Sequence, residues 1–303
     1  MTDPGGRYPY DEFSMFKENA EEFGLPYDGP PTVERRSVVM DDGRQLSSLV
    51  WGKTEPELVL LHGGAQNAHT WDTVALALDR PLLAIDLPAH GHSDGVRGGT
   101  RNLAANADDV ATVIGALAPR SRVVVGMSMG GMTALALADR HPDLVPRLVL
   151  VDVTPGVNQD KAKAIMDFVR GPASFPDFDA ILARTVEHNP TRTVASLRRG
   201  ILHNALQQED GSWVWRHARH QTAEPTVPPD AGAYSNLWEV VSGLQMPVML
   251  VRGMRPQSVV DDADEAELLR RLPGARIEHV DAGHSVQGDA PVELARLLLD
   301  FAR

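Results

Sequence analysis

The stretch from Arg122 to Arg140 sets the tightest constraint on what this chain can fold into. Three β-branched residues, Val123-Val124-Val125, run straight into Gly126-Met127-Ser128-Met129-Gly130, and a helical pattern rich in alanine and leucine follows. Valine runs favour strands, while alanine and leucine favour helices. The order is therefore strand, sharp turn, helix, with a serine at the turn. Such a turn forces the serine into a strained backbone conformation. Its neighbours must be small for strand and helix to approach, which is the work of glycines two before and two after it. The strain lifts Oγ clear of the sheet edge. The partly positive N-terminal amides of the helix point at the same spot. A serine that merely capped a helix would explain neither the paired glycines nor the pattern of the remaining chain.

That pattern alternates. Val33–Met40 and Gln45–Trp51 are strand-like runs around Asp41-Asp42-Gly43, a hairpin signal. Leu58–Leu61 is a short apolar strand ending in His62-Gly63-Gly64-Ala65, and residues 69–78 read as a helix. Leu82–Ile85 is a second apolar strand, ending in Asp86-Leu87-Pro88-Ala89-His90-Gly91-His92-Ser93, and Leu103–Leu117 has helical periodicity. After the Ser128 unit, Leu148–Val151 is the sixth strand and ends at Asp152. Val248–Val251, Ala263–Leu272, Arg276–Val280 and Val292–Phe301 read as strand, helix, strand, helix. Continuous apolar strands alternating with helices imply a mostly parallel sheet buried on both faces, here led in by an antiparallel hairpin.

The expected organisation is a core of residues 33–153 and 237–303, an N-terminal extension of residues 1–32, and an insertion of residues 154–236. The insertion breaks the strand–helix rhythm with several helical patterns, Trp213 and Trp215, and the proline-rich Glu224–Pro229. The simplest form for it is a helical cap. In the extension, Phe13, Phe16, Ala20 and Phe23 fall at helical spacing, the pattern of a short helix lying on the core, with a flap or a partner helix as the alternative.

A chain of 303 residues suffices for one large α/β domain with an insertion. A net charge of −12 argues against nucleic acid or an anionic membrane surface as partner. With no cysteine there is no disulfide framework, thiolate metal site or cysteine nucleophile. No apolar run approaches the roughly 18 residues of a membrane-spanning helix. Met1–Tyr10 lacks the basic-then-apolar layout of a signal peptide, so a cytoplasmic protein is expected.

Taken together, His62-Gly63-Gly64, Asp86–Ser93, Gly126–Gly131 and Asp281-Ala282-Gly283-His284-Ser285 make residues 33–303 resemble an α/β-hydrolase. The resemblance implies a nucleophile, an acid and a histidine in that order along the chain. Ser128 is the nucleophile. His284, in a glycine-containing loop between the last strand and the last helix, is the base. Many relatives carry the acid three residues after the glycine ending the seventh core strand, but that position here is Pro256. The other location used in this family is the end of the sixth strand, which is Asp152. Asp152 is preferred over Asp261 or Asp262, which can cap the following helix. Two backbone N–H groups should hold the oxyanion: that of Met129 and that of Gly64, with Ala65 the alternative to Gly64. His62 is expected to brace that loop.

His90 and His92 form an H-x-H pair, but no third ligand is evident, so neither a metal nor any other cofactor is expected. Trp213 and Trp215 either line a substrate pocket or pack the cap. The activity this implies is cofactor-independent hydrolysis of a small carboxylic ester or lactone through an acyl-enzyme. A carbon–carbon bond hydrolase, a cofactor-free perhydrolase and a ligand-binding receptor with little turnover are the alternatives. A homodimer is allowed by this reading.

Overall fold

In the computed structural model, residues 7–95, 102–156, 171–189, 192–217 and 237–303 are described, with residues 163, 167 and 169. An eight-stranded sheet holds the core together. Its strands are β1 (Val33–Val39), β2 (Gln45–Trp51), β3 (Leu58–Leu61), β4 (Leu82–Ile85), β5 (Val123–Met127), β6 (Leu148–Val151), β10 (Val248–Gly253) and β11 (Arg276–Val280). They lie in the order β1-β2-β4-β3-β5-β6-β10-β11. Only β2 runs antiparallel to its neighbours, and the other pairings are parallel. The lead-in hairpin turns where expected, with Gly43 at φ +83° and the Met40 amide bonded to the Arg44 carbonyl.

Alternation along the strands sorts the core into two layers. Val59, Leu61, Leu83, Ile85, Val124, Leu148 and Leu250 face one side. There they meet α3 (Leu103–Leu117), α4 (Met129–Arg140) and α7 (Leu237–Gly243). Leu58, Leu60, Leu82, Ala84, Val125, Val149 and Val251 face the other. There α2 (Asp72–Leu78) and α9 (Pro291–Phe301) cover them. Apolar residues at consecutive positions thus bury both faces of one sheet, which is why these strands read as continuous apolar runs.

The chain lays β4 on one side of β3 and β5 on the other. This reversal leaves a crevice at the carboxyl ends of β3 and β5, the place where ligands bind in open α/β sheets.

The insertion is not purely helical. Its described residues form α5 (Phe178–His188), α6 (Val194–Asn204) and a three-stranded antiparallel sheet. The strands are β7 (Ser174–Phe175), β8 (Ala205–Gln207) and β9 (Trp213–Trp215), in the order β7-β9-β8. Asp210-Gly211 makes the β8–β9 turn, with Gly211 at φ +88° and the Gln208 amide bonded to the Ser212 carbonyl. An Asp-Gly pair beside alternating apolar residues is a hairpin signal, but strands this short carry too few residues to show a period of two. Glu224–Pro229 lies outside the described residues.

The extension forms a shorter helix than its spacing suggests, α1 (Phe16–Glu22). Phe16 packs edge-on against Trp51 of the core at 4.9 Å. Tyr8 and Met15 join the apolar cluster of the cap. Arg199 of α6 is buried, donates from Nε to Asn19 at 2.8 Å and pairs with Glu22. The extension therefore lies on the core and ties the insertion to it.

Candidate active site

Ser128 sits between β5 and α4 with φ +51° and ψ −119°, a conformation that side chains rarely adopt. The glycines around it are sterically required. A Cβ on Gly126 would strike the backbone of Gly130 and Gly131, and one on Gly130 would strike the Leu61 carbonyl. Met129, the first residue of α4, presents an amide that has no acceptor inside the helix.

Asp152 follows β6 at φ +47° and is fully buried. Its Oδ1 accepts the Gly253 amide at 2.9 Å and the Ser258 hydroxyl at 2.6 Å. Its Oδ2 accepts the Val259 amide at 3.0 Å and His284 Nδ1–H at 2.9 Å. His284 reaches this position because the loops after β10 and β11 lie in contact. A Cβ on Gly253 would collide with the carbonyls of Ala282 and Gly283. The loop after β10 therefore supplies donors to the carboxylate, while the carboxylate itself comes from β6.

The two competing aspartates are engaged elsewhere. Asp261 caps α8 (Asp262–Arg271), accepting the Ala263 and Asp264 amides in a capping box. Asp262 is 96% exposed and pairs with Arg252 at 2.7 Å.

The loop after β3 is held from several sides. Gln66 Oε1 accepts the Gly63 amide at 3.1 Å. Ala65, at φ +60°, gives its amide to His90 Nε2 at 3.1 Å, which leaves the exposed Gly64 as the amide open to a ligand. His62 braces the loop as expected, since its Nε2 accepts the Leu87 amide at 2.9 Å.

His90 does not form a ligand pair with His92. Its Nδ1–H donates to the Pro88 carbonyl at 3.1 Å, so both ring nitrogens are bonded to backbone. A different trio, His69, Asp72 and His203, brings three ligand-type atoms within 4.8 Å of one another. The two imidazoles stack at 3.9 Å with only 12° between their planes. Imidazole lone pairs lie in the ring plane, so parallel stacked rings cannot aim them at one ion. Within the trio only His69 Nδ1 and Asp72 are hydrogen-bonded, at 2.9 Å, while His203 Nδ1 bonds to the Tyr10 hydroxyl at 2.9 Å.

Trp213 is buried in the cap, against Phe178 at 5.1 Å and Tyr8 at 5.6 Å. Trp215 stacks on His217 at 6.2 Å, and His217 in turn stacks on His90 at 6.1 Å. Only the second tryptophan is thus linked to the loops at the sheet edge. Sequence reasoning missed Ser258 and His90 as parts of the site. Ser258 lies in an irregular loop and carries no periodic signal. His90 was visible only as half of a metal-like pair.

The alpha/beta hydrolase fold family model matches residues 56–291. The chain belongs to that family. This hydrolase is 43% identical over 302 residues to esterase Rv0045c of Mycobacterium tuberculosis, covering 96% of each chain. A crystal structure of that esterase superposes with a TM-score of 0.81 at 41% identity, covering 97% of this chain and 98% of the other. The sn-1-specific diacylglycerol lipase ABHD11 of Mus musculus is 28% identical, covering 82% of this chain and 81% of the lipase. E-2-(acetamidomethylene)succinate hydrolase is a further structural neighbour, at 25% identity and TM-score 0.75, covering 89% of this chain and 99% of that one. Among the described residues, no helix is long and apolar enough to cross a membrane.

Proposed function

We propose that this hydrolase is a serine esterase that cleaves a small carboxylic ester or lactone, with Ser128, His284 and Asp152 as its triad. The observation that carries the reading is the 2.9 Å bond from His284 Nδ1–H to a buried Asp152, at the sheet edge that also presents the strained Ser128. A carboxylate accepting from Nδ1 fixes the tautomer whose Nε2 can take the serine proton, and it stabilises the imidazolium that forms. Ser128 Oγ then attacks the carbonyl, and the amides of Met129 and Gly64 bind the oxyanion. His284 returns the proton to the leaving alcohol, and the acyl-enzyme forms. Water, deprotonated by the same imidazole, releases the acid.

The test is covalent labelling with a fluorophosphonate, together with burst kinetics on p-nitrophenyl esters of increasing chain length. Wild type should label once per chain and show a burst. Ser128→Ala should lose both while keeping its melting temperature, with only a residual rate on the order of 10³–10⁴ above water. An alanine variant with near wild-type kcat overturns the assignment.

A further inference from the structure

Two buried histidines outside the triad make reciprocal bonds between the loops after β3 and β4. His62, at the end of β3, accepts the Leu87 amide of the second loop on Nε2 at 2.9 Å. His90, in the second loop, accepts the Ala65 amide of the first on Nε2 at 3.1 Å. Each ring's other nitrogen faces a carbonyl: Nδ1 of His62 lies 2.7 Å from the Gly63 oxygen, and Nδ1 of His90 lies 3.1 Å from the Pro88 oxygen.

A backbone amide can only donate, and a carbonyl can only accept. Both imidazoles are therefore neutral and carry the proton on Nδ1. Burial favours the neutral form of His62, pushing its pKa below the ordinary value. The rings lie 5.1 Å apart, His62 fully buried and His90 4% exposed.

The bonds end on either side of Gly64. His62 is two residues before it, and Ala65 is the residue after it. Ala65 also holds the left-handed conformation, φ +60°, which an alanine keeps only where its surroundings enforce it. The His90 bond supplies that enforcement directly at the Ala65 amide.

We propose that His62 and His90 are positioning residues for the oxyanion: together they fix the backbone between them so that the Gly64 amide points at the carbonyl attacked by Ser128. The proposal rests on the serine esterase reading above. An amide that is free to swing would still allow substrate to bind. It would fail to meet the charge that develops on the carbonyl oxygen, so the loss falls on the transition state.

The experiment compares His90→Phe with His90→Gln. Phenylalanine keeps the planar ring and removes the acceptor. Glutamine places Oε1 near the position of Nε2 and keeps an acceptor for the Ala65 amide. With p-nitrophenyl esters, His90→Phe should lower kcat by about 30–100-fold with KM within about threefold, the pattern of a lost transition-state contact. His90→Gln should recover to within about fivefold of wild type. A trifluoromethyl ketone forms an oxyanionic hemiketal on the serine, so its inhibition constant should rise in parallel with the loss of kcat/KM across both variants. His62→Gln and His62→Phe should repeat the ordering. If His90→Phe proves unstable, His90→Leu, which also lacks the acceptor, replaces it and is read against His90→Gln in the same kinetic and ketone assays.

Equal losses in the phenylalanine and glutamine variants, or a loss confined to KM, overturn the proposal. So does an unchanged ketone affinity in the variant that lacks the acceptor. Failure of the esterase reading looks different: wild type itself would not label with the fluorophosphonate, and both proposals would fall.

Discussion

Asp152 uses all its acceptor capacity on four donors, two on each carboxylate oxygen. Replacing either oxygen with an amide NH₂ sets a donor against donors, whichever way the group is turned. Asp152→Asn should therefore lose the His284 tautomer, and kcat should fall by about 10²–10⁴. The same substitution in a serine protease sets that scale. Asp261→Asn keeps a side-chain oxygen to cap α8 and Asp262→Asn removes only an exposed ion pair, so kcat should stay within about tenfold. Steady-state kinetics on the three variants, with melting curves as folding controls, reads the ranking. An active Asp152→Asn beside a crippled Asp261→Asn would place the acid after β10.

At the scale of elements, the cap's small sheet decides what its tryptophans do. Both tryptophans are buried in one apolar cluster, 3% and 9% exposed, but Trp215 also leads through His217 towards His90. Trp213→Ala should lower the melting temperature, since truncating a buried tryptophan costs about 3–5 kcal/mol, and leave chain-length preference unchanged. Trp215→Ala should also lower the melting temperature, and it alone should change that preference. Rates across a series of esters, alongside the melting curves, distinguish the two, and a specificity change confined to Trp213→Ala would reverse the assignment.

The same elements show what the sequence could reveal. α3 and the core strands carried strong periodicity, and Leu103–Leu117 falls where it was expected. Ser128 and Asp152 stood out as candidates because the turn after β5 needs glycine and because position 256 is proline. The cap sheet was not legible, because two- and three-residue strands are fixed by tertiary pairing rather than by their own pattern. The roles of Ser258 and His90 were hidden for a related reason. Each acts on backbone or carboxylate brought near by loop packing, and no spacing along the chain records that.

At the scale of the whole molecule, a buried ionic cluster joins its three parts. Glu12 and Tyr10 come from the extension, Arg35, His69, Asp72 and Asp86 from the core, and His203 from the cap. Burial alone would push His69 down. The Asp72 carboxylate at 2.9 Å, with help from Glu12, outweighs that and holds it up at about 9 against an ordinary 6.5. Burial alone would push Glu12 up, but hydrogen bonds from His69 and Arg35 hold it down at about 2 against an ordinary 4.5. His203, beside charged His69 and buried, is held neutral.

The two shifts bound a window. A histidine whose folded pKa is raised contributes stability fully below 6.5, and that contribution is lost as pH climbs through about 9. A glutamate whose folded pKa is depressed contributes fully above 4.5, and that contribution is lost as pH falls towards about 2. His69 and Glu12 together therefore contribute most between about pH 4.5 and 6.5, while burial holds the Asp72 carboxyl above its ordinary range. For His69 the alkaline loss is on the order of 3 kcal/mol, one pKa unit being worth about 1.4 kcal/mol. Melting curves from pH 4 to 9.5 should show the midpoint falling by several degrees above about pH 6.5. His69→Gln should start lower and lose most of that alkaline slope, because the proton released on unfolding at high pH is gone. An alkaline slope in His69→Gln as steep as in wild type would mean that the cluster does not set the pH response of the fold.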